Sequence, residues 1–159
     1  MSAEELHELI DSLANTPETI ADLVSALSDG NLRHRNSAEE FSAIENICHL
    51  RDIEVEGYAV RINRIVNEDN PSLPDIDGGR LAIERNYNGQ NLDQVLQAFG
   101  SARADNLRTL RSVKPEQLGR AGTLQGVGSI TLEKLLVMMC EHDGGHLDEL
   151  RIICRRLSN

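Results

Sequence analysis

Aromatic residues are scarce in this chain of 159 residues: they make up 3% of the sequence and include no tryptophan. The core therefore has to be built from leucine, isoleucine, valine, alanine and methionine. Strand-rich proteins lean on β-branched and aromatic side chains, so this shortage favours packing of helix on helix over a sandwich or a barrel. Cysteine is scarce too. Three cysteines, an odd number, indicate reduced thiols and a cytoplasmic protein rather than a disulfide framework.

Positive charge and long apolar runs are also lacking. Lysine and arginine number 16 against 26 aspartates and glutamates, which gives a formal net charge of −10. Such a surface repels phosphate backbones and anionic lipids, so we expect no nucleic-acid partner and no membrane partner. No apolar run approaches the roughly 18–20 residues of a membrane span, and the acidic, amphipathic N-terminus does not resemble a signal peptide.

The sequence does contain 40% hydrophobic and 26% charged residues, enough for a single globular domain over residues 1–159. Apolar residues at helical spacing predict four long helices and no strand. The predicted helices span residues 3–28, with an interruption at Thr16-Pro17-Glu18, then 37–68, 91–113 and 131–157. Ser37 and Glu40 form a capping box for the second helix, while Asn91 and Thr131 cap the third and fourth.

Two long connections separate the later helices. Residues 67–79 contain two prolines and a cluster of turn residues, residues 114–130 are rich in glycine, and a short helix is expected at 80–87. The prediction is an all-α four-helix bundle with long connections between helices 2 and 3 and between helices 3 and 4.

Two histidines of the predicted fourth helix, His142 and His146, lie four residues apart on the line of its core leucines. Side chains at this spacing are neighbours, so two imidazoles can bind one metal ion at about 2.0–2.1 Å each. A third ligand has to come from another helix, and His49 is the candidate. The alternative is a solvated or hydrogen-bonded pair, because this spacing is common. The glutamate of H-E-x-x-H is missing, so a zinc protease is not indicated.

Three segments together resemble the DinB-like (DinB/YfiT) superfamily of metal-dependent four-helix bundles. FSAIENICHLRDIE (41–54) is similar to the family's stretch around its first metal histidine, EDNPSLPDID (68–77) to its acidic proline-rich loop, and GSITLEKLLVMMCEHDGGHLDELR (128–151) to its last helix. The resemblance covers nearly the whole chain. Phe41 stands where the family usually has tryptophan, and Asp-Gly-Gly separates the last two histidines, where larger side chains are common.

The resemblance implies a divalent metal site formed by His49, His142 and His146, with open positions for water or substrate. Zinc and nickel both suit three imidazoles. It also implies a homodimer, and an enzyme in which the metal activates a thiol or water for attack on a small electrophilic substrate. Members of the superfamily include transferases and isomerases that use a low-molecular-weight thiol as cosubstrate. The alternative is a non-catalytic metal-binding bundle that acts in the stress response.

Acidic side chains share the His49 side of the second helix. Asp52 is the first candidate for a carboxylate that accepts a hydrogen bond from a metal-binding histidine or acts as a general base, and Glu45 is the second. Two further carboxylates are placed near the histidines, Glu56 and Asp143. The alternative interpretation of these residues is a solvated acidic face.

Other residues near the predicted site have weaker roles. Cys48 and Cys140 are possible ligands, but they point about 100° or more away from the histidine line. An anionic thiol would need basic groups, for which the connections offer Arg80, Arg85 and Arg120. Gly144 and Gly145 are unfavourable inside a helix, so they are expected either to leave space beside the metal for a substrate or to permit tight helix packing.

Overall fold

The computed structural model describes residues 1–157. The α-helices are α1 Ala3–Val24, α2 Asp29–Leu32, α3 Ala43–Asp52, α4 Ala59–Asn67, α5 Gly78–Glu84, α6 Leu92–Ser112 and α7 Leu132–Leu157. A π-helical segment, Ile53–Tyr58, joins α3 to α4, so that the three form one continuous helix. The four long helices are therefore α1, the α3–α4 helix, α6 and α7. α1 packs against α6 and α7, and α3 packs against the same two helices.

The predicted fold class is confirmed: the chain is a four-helix bundle with long connections. α6 and α7 begin and end within one residue of the predicted bounds. The first helix was expected to reach residue 28 but ends at Val24, and the short α2 follows it.

The predicted capping box of the second helix is wrong. Ser37 lies in a bend, where its hydroxyl accepts from the backbone N–H of Glu39 at 3.3 Å. The box is formed instead by Ser42 and Glu45: the Glu45 N–H donates to the Ser42 hydroxyl and the Ser42 N–H donates to the Glu45 carboxylate. Both pairs have the same spacing, but only the second pair directly precedes residues that are buried on folding.

Three short strands contradict the prediction of no strand. They are β1 Ser72–Leu73, β2 Ala121–Leu124 and β3 Gly128–Thr131, with β1 parallel and β3 antiparallel to β2. The two connections that looked irregular thus pair with each other. Strands of two to four residues are too short for a period-2 pattern to appear in the sequence. Gly126 and Gly128 adopt φ of 78° and 105° between β2 and β3, a backbone conformation that favours glycine.

The bundle core is divided into two apolar halves by a polar layer. One half holds the first part of α1, α4, the end of α6 and the first part of α7; the other holds the second part of α1, α3, the first part of α6 and the end of α7. Each long helix contributes buried or half-buried polar side chains where the halves meet: Thr16, His49, Glu54, Arg103, Asn106, His142, Asp143 and His146. The three histidines singled out from the sequence lie in this layer.

The described helices include none with the length and apolar character needed to cross a membrane.

Candidate metal centre

Three histidines from two helices meet in the polar layer. His49 comes from α3, and His142 and His146 come from consecutive turns of α7. One ring nitrogen of each lies within 4.8 Å of the other two, and the Nε2 atoms of His49 and His142 are 3.1 Å apart. Ring centroids are separated by 4.6–5.2 Å, and all three residues are half-buried. The structure therefore brings together the three residues that the sequence singled out.

The spacing of the Nε2 atoms fits a bound cation. Two nitrogens held by one ion at about 2.0–2.1 Å lie about 3.0–3.4 Å apart, which matches the distance between Nε2 of His49 and Nε2 of His142. Within residues 1–157, the Nδ1 atoms of both rings are buried and have no hydrogen-bond partner. If both Nε2 atoms present lone pairs, they repel each other unless a positive charge lies between them. The donor set therefore fits a divalent metal ion.

Burial keeps these imidazoles neutral. It lowers the pKa of His49 to about 4 and that of His142 to about 3, and the neighbouring histidines add a smaller effect in the same direction. Burial also lowers the pKa of His146. A metal ion binds the unprotonated ring, so at neutral pH the three ligands need not lose protons before binding.

Two residues that the sequence analysis missed fix the orientation of His146. Its Nδ1 lies 2.7 Å from Oδ1 of Asn46 and 3.2 Å from Oε2 of Glu149. Asn46 is buried, and its own Nδ2 donates to the Ser42 carbonyl at 3.1 Å. Because both partners of Nδ1 are oxygen acceptors, that nitrogen carries the proton and Nε2 is free for an ion. The contact from Glu149 could have been predicted, because it follows His146 by three positions on the same helix, whereas the contact from Asn46 comes from another helix.

The backbone of α5 covers His49. A Cβ atom on Gly78 would lie 2.4 Å from Nδ1 of His49 and 2.5 Å from its Cε1, so only glycine allows this approach. The ring of Phe41 is 5.9 Å from that of His49, and the ring of Tyr58 is 6.0 Å from that of His142. The other two histidines of the chain, His7 and His34, are exposed and lie outside this cluster.

Asp52 and Glu45 do not take the positions expected of them. Asp52 accepts hydrogen bonds from Arg51, Arg85 and Tyr87 at 2.6–2.8 Å. Glu45 caps its own helix and pairs with Arg35. Among the described contacts, neither carboxylate reaches a histidine. The carboxylate–histidine contact is made by Glu149 instead.

The electrostatics of Asp52 also weaken its expected role as a base. Burial alone would raise the pKa of its carboxyl, but hydrogen bonds from Arg51, Tyr87 and Arg85 and the charge of Arg51 together hold that pKa below its usual value. Burial would likewise raise the pKa of Glu45, but hydrogen bonds from Arg35 and Ser42 and the charge of Arg35 lower it below its usual value. A carboxylate with a lowered pKa is a poor proton acceptor at neutral pH.

The other residues suggested as a carboxylate partner or as metal ligands make contacts away from the histidines. Glu56 pairs with Arg85 at 2.6 Å, and the thiols of Cys48 and Cys140 contact the carbonyl oxygens of Tyr87 and Leu9. Burial raises the pKa of Cys48 to about 12 and that of Cys140 to about 11, so both remain protonated at neutral pH.

Asp143 belongs to a buried ion network next to the histidines rather than to a solvated face. Arg103 of α6 donates to Glu54 at 2.9 Å and to Asp143 at 2.6 Å, and it also donates to the Leu13 carbonyl. Thr16 donates to Asp143 at 2.8 Å. The network joins the four long helices in the layer that holds the histidines, and it was not predicted from the sequence.

A cavity of about 420 Å³ has His146 in its wall. Its lining combines acidic, apolar and amide side chains: Glu39, Glu40, Phe41, Asn46, His146, Glu149, Ile152, Ile153 and Arg156. Gly144 and Gly145 are not in this lining. A Cβ atom on either glycine would meet no heavy atom within 4 Å, so the expectation that they permit tight packing is wrong.

The fold and the three convergent histidines together define the class of this protein: a four-helix bundle with a candidate metal site between its helices. The chain belongs to the DinB superfamily, whose sequence model matches residues 12–150, so the family predicted from the sequence is confirmed. Among solved structures it is similar to YfiT from Bacillus subtilis, described as a probable metal-dependent hydrolase with an unusual four-helix bundle topology. The TM-score is 0.92 at 19% identity, over 99% of this chain and 90% of that one. No curated protein matches the chain.

Proposed function

We propose that this protein is a metal-dependent hydrolase in which a divalent ion held by His49, His142 and His146 activates water for attack on a small electrophilic substrate. The observation that carries the proposal is the convergence of three neutral imidazoles, one of which, His146, lines a 420 Å³ cavity. The description of YfiT as a probable metal-dependent hydrolase supports the same reaction class. When bound to three neutral ligands, such an ion lowers the pKa of a water molecule to about 7.

The surrounding residues have separate tasks in this proposal. Asn46 holds the His146 ring so that Nε2 faces the ion, and Gly78 lets the α5 backbone hold His49 in place. Glu149 lies both against Nδ1 of His146 and in the cavity wall, where its carboxylate can accept a proton from the attacking water through one intervening water molecule. Burial, with a smaller effect from Glu40, raises the pKa of Glu149, which favours that role.

The arginines favour water over a low-molecular-weight thiol as the nucleophile. Such thiols commonly carry carboxylates, so they need basic side chains near the metal. None of the three arginines suggested for this purpose is in the cavity lining, and each is engaged elsewhere: Arg80 with Glu84, Arg85 with Asp52 and Glu56, and Arg120 with Asp69 and the carbonyls of Ile65 and Glu68.

Elemental analysis of the purified protein tests the site. We expect about one divalent ion per chain in the wild type and a loss of it in His49→Ala and His142→Ala. His7→Ala is the control, because that histidine is exposed and pairs only with Asp11. Equal metal content in all four proteins would overturn the site. Because three imidazoles suit zinc and nickel alike, loading with each ion separately is needed to compare them.

Hydrolysis is tested on neutral aryl and alkyl esters, with metal-loaded protein, with chelator-treated protein and with Glu149→Gln. We expect turnover only with metal, and a fall in kcat of about 10²–10⁴-fold in Glu149→Gln with metal content unchanged. Retention of metal without turnover of any ester or amide would instead favour the non-catalytic metal-binding bundle.

A further inference from the structure

The cavity beside His146 has both an apolar surface and an acidic one. Phe41, Ile152 and Ile153 supply the apolar part. Ile152 is 45% exposed although it is a large aliphatic side chain, so this part of the wall is open to a ligand. A volume of about 420 Å³ lies within the range of small-molecule sites. The wall therefore fits the apolar body of a small organic molecule.

The charged groups of the wall are mostly negative. The wall contains three glutamates, Glu39, Glu40 and Glu149, and one arginine, Arg156. Its formal net charge is therefore −2. Arg156 lies 3.6 Å from Glu40, so that pair is largely neutralised. Glu149 is more than half exposed, and its carboxylate lies 3.2 Å from Nδ1 of His146, with no lysine or arginine among its described contacts.

The charges of the four ionised side chains in the wall act together on a ligand inside the cavity. A spherical cavity of about 420 Å³ is about 9 Å across, close to the Debye length of about 8 Å at physiological salt, so screening removes only part of their effect. The net charge of −10 on the whole chain has the same sign. Anionic substrates are disfavoured, and a positive group is favoured at the same place where Phe41 offers an aromatic face.

We propose that the substrate is a small organic cation, an ester or amide with an ammonium group and an apolar body. The apolar body lies against Phe41, Ile152 and Ile153, the ammonium group faces Glu39 and Glu149, and the reacting carbonyl is directed towards His146. The reaction rests on the proposed function, whereas the preference for a cation rests on the cavity alone.

Isothermal titration calorimetry on the chelator-treated protein tests the preference for a cation without requiring turnover, because a divalent ion on His146 would offset the negative charge of the wall. The probes are benzyltrimethylammonium, benzyl alcohol and benzenesulfonate, which share an aromatic body and differ in charge. We expect the cation to bind about tenfold more tightly than the alcohol, as a few exposed charge contacts and a cation–π contact allow. The sulfonate should bind most weakly, and the advantage of the cation should shrink at high salt.

Two variants separate the cavity charges from the overall charge. The double variant Glu39→Gln/Glu40→Gln reduces the net charge of the wall from −2 to zero, so it should abolish the preference. Glu116→Gln, an exposed residue in the connection before α7, should retain it. Equal affinity for the three probes, or a preference that survives the double variant, would overturn the inference.

A comparison of ester hydrolysis by the metal-loaded protein distinguishes this inference from the hydrolase proposal. Hydrolysis of acetylcholine is compared with hydrolysis of 3,3-dimethylbutyl acetate, its uncharged isostere. Metal-dependent turnover of both at equal kcat/KM would support the hydrolase and overturn the cation preference. Tight binding of benzyltrimethylammonium without turnover of either ester would support the cation site and overturn the hydrolase.

Discussion

At the scale of single residues, backbone and amide groups position the histidines more than carboxylates do. His49 is held by the close approach of Gly78, and His146 is oriented mainly by the shorter contact to Asn46. Outer partners of this kind keep a ligand in one tautomer and one rotamer. Since they contribute little negative charge, an ion bound there would keep most of its ability to acidify water.

Replacing Gly78 with alanine should weaken metal binding. The new Cβ atom would lie 2.4 Å from Nδ1 of His49, so the imidazole has to move away from its position beside His142. We expect affinity for zinc to fall about 10–100-fold, the usual effect of disturbing a group behind a ligand. A competition titration against a chromophoric chelator measures the change.

Gly79→Ala is the matched control. It lies in the same first turn of α5, and its Cβ atom would meet only Oδ1 of Asp77 at 3.6 Å, an ordinary contact. Its zinc affinity should equal that of the wild type. If Gly78→Ala and Gly79→Ala bind zinc equally well, the backbone of α5 does not position His49.

Asn46→Ala should also weaken metal binding, for a different reason. The variant removes the oxygen that accepts from Nδ1 of His146, so the ring is free to change tautomer and turn away. We expect zinc affinity to fall about 10–100-fold. Asn46→Asp keeps an acceptor in place and should restore most of the affinity. If both variants lose affinity equally, the loss reflects the packing of Asn46 and not its hydrogen bond.

At the scale of secondary-structure elements, α7 carries both a ligand pair and a local weakness. Gly144 and Gly145 lie in its middle, between the two histidines, and neither is crowded by a neighbour. Each glycine destabilises the interior of a helix by about 1 kcal/mol relative to alanine. With no steric reason for glycine in the structure, the weakness is intrinsic to the helix.

Gly144→Ala and Gly145→Ala should therefore each raise the free energy of unfolding by about 0.4–1 kcal/mol. Denaturation by urea, followed by circular dichroism, measures the gain. Gly144→Leu and Gly145→Leu should retain bound metal, because space is open around both positions. A loss of stability on substitution with alanine would show that an unseen contact requires glycine there.

Arg103→Met tests the buried network that joins α6 to its neighbours. The guanidinium of Arg103 pairs with Glu54 and Asp143, and all three side chains are buried. Removing the cation leaves two uncompensated carboxylates, so we expect a loss of about 3–5 kcal/mol in the free energy of unfolding. Arg108→Met on the same helix is the control. Its partner Asp105 is largely exposed, so the loss should stay below about 1 kcal/mol. A comparable loss in both variants would contradict the role given to the network.

These elements also show how far sequence could predict this fold. α6 and α7 follow from uninterrupted apolar spacing and clear caps, and the histidine pair follows from spacing within one helix. Asn46 and Gly78 were missed because their roles depend on contacts between helices, which single-helix patterns do not contain. Glu54 and Arg103 were missed because sequence patterns treat charged residues as exposed, whereas here they neutralise each other inside the bundle.

At the scale of the whole molecule, the polar layer explains why the core is divided. Apolar packing in the two halves fixes the four helices, and the layer between them is where charged and imidazole groups can be held at low water content. The three histidines of this layer come from two helices and meet only in the folded chain, so an ion that binds all three stabilises the folded state.

Metal binding should therefore raise the thermal stability of the whole domain. An ion that binds only the folded state stabilises it by about 2.7 kcal/mol at a free concentration one hundred times its Kd. For a domain of this size, 1 kcal/mol corresponds to about 2–4 °C, so we expect Tm to rise by about 5–11 °C on addition of zinc or nickel to chelator-treated protein. Differential scanning calorimetry measures the shift. His142→Ala should show no shift, because it lacks one ligand, whereas His7→Ala should shift like the wild type. A full shift in His142→Ala would place the stabilising ion outside the three-histidine cluster and remove the link between the polar layer and metal binding.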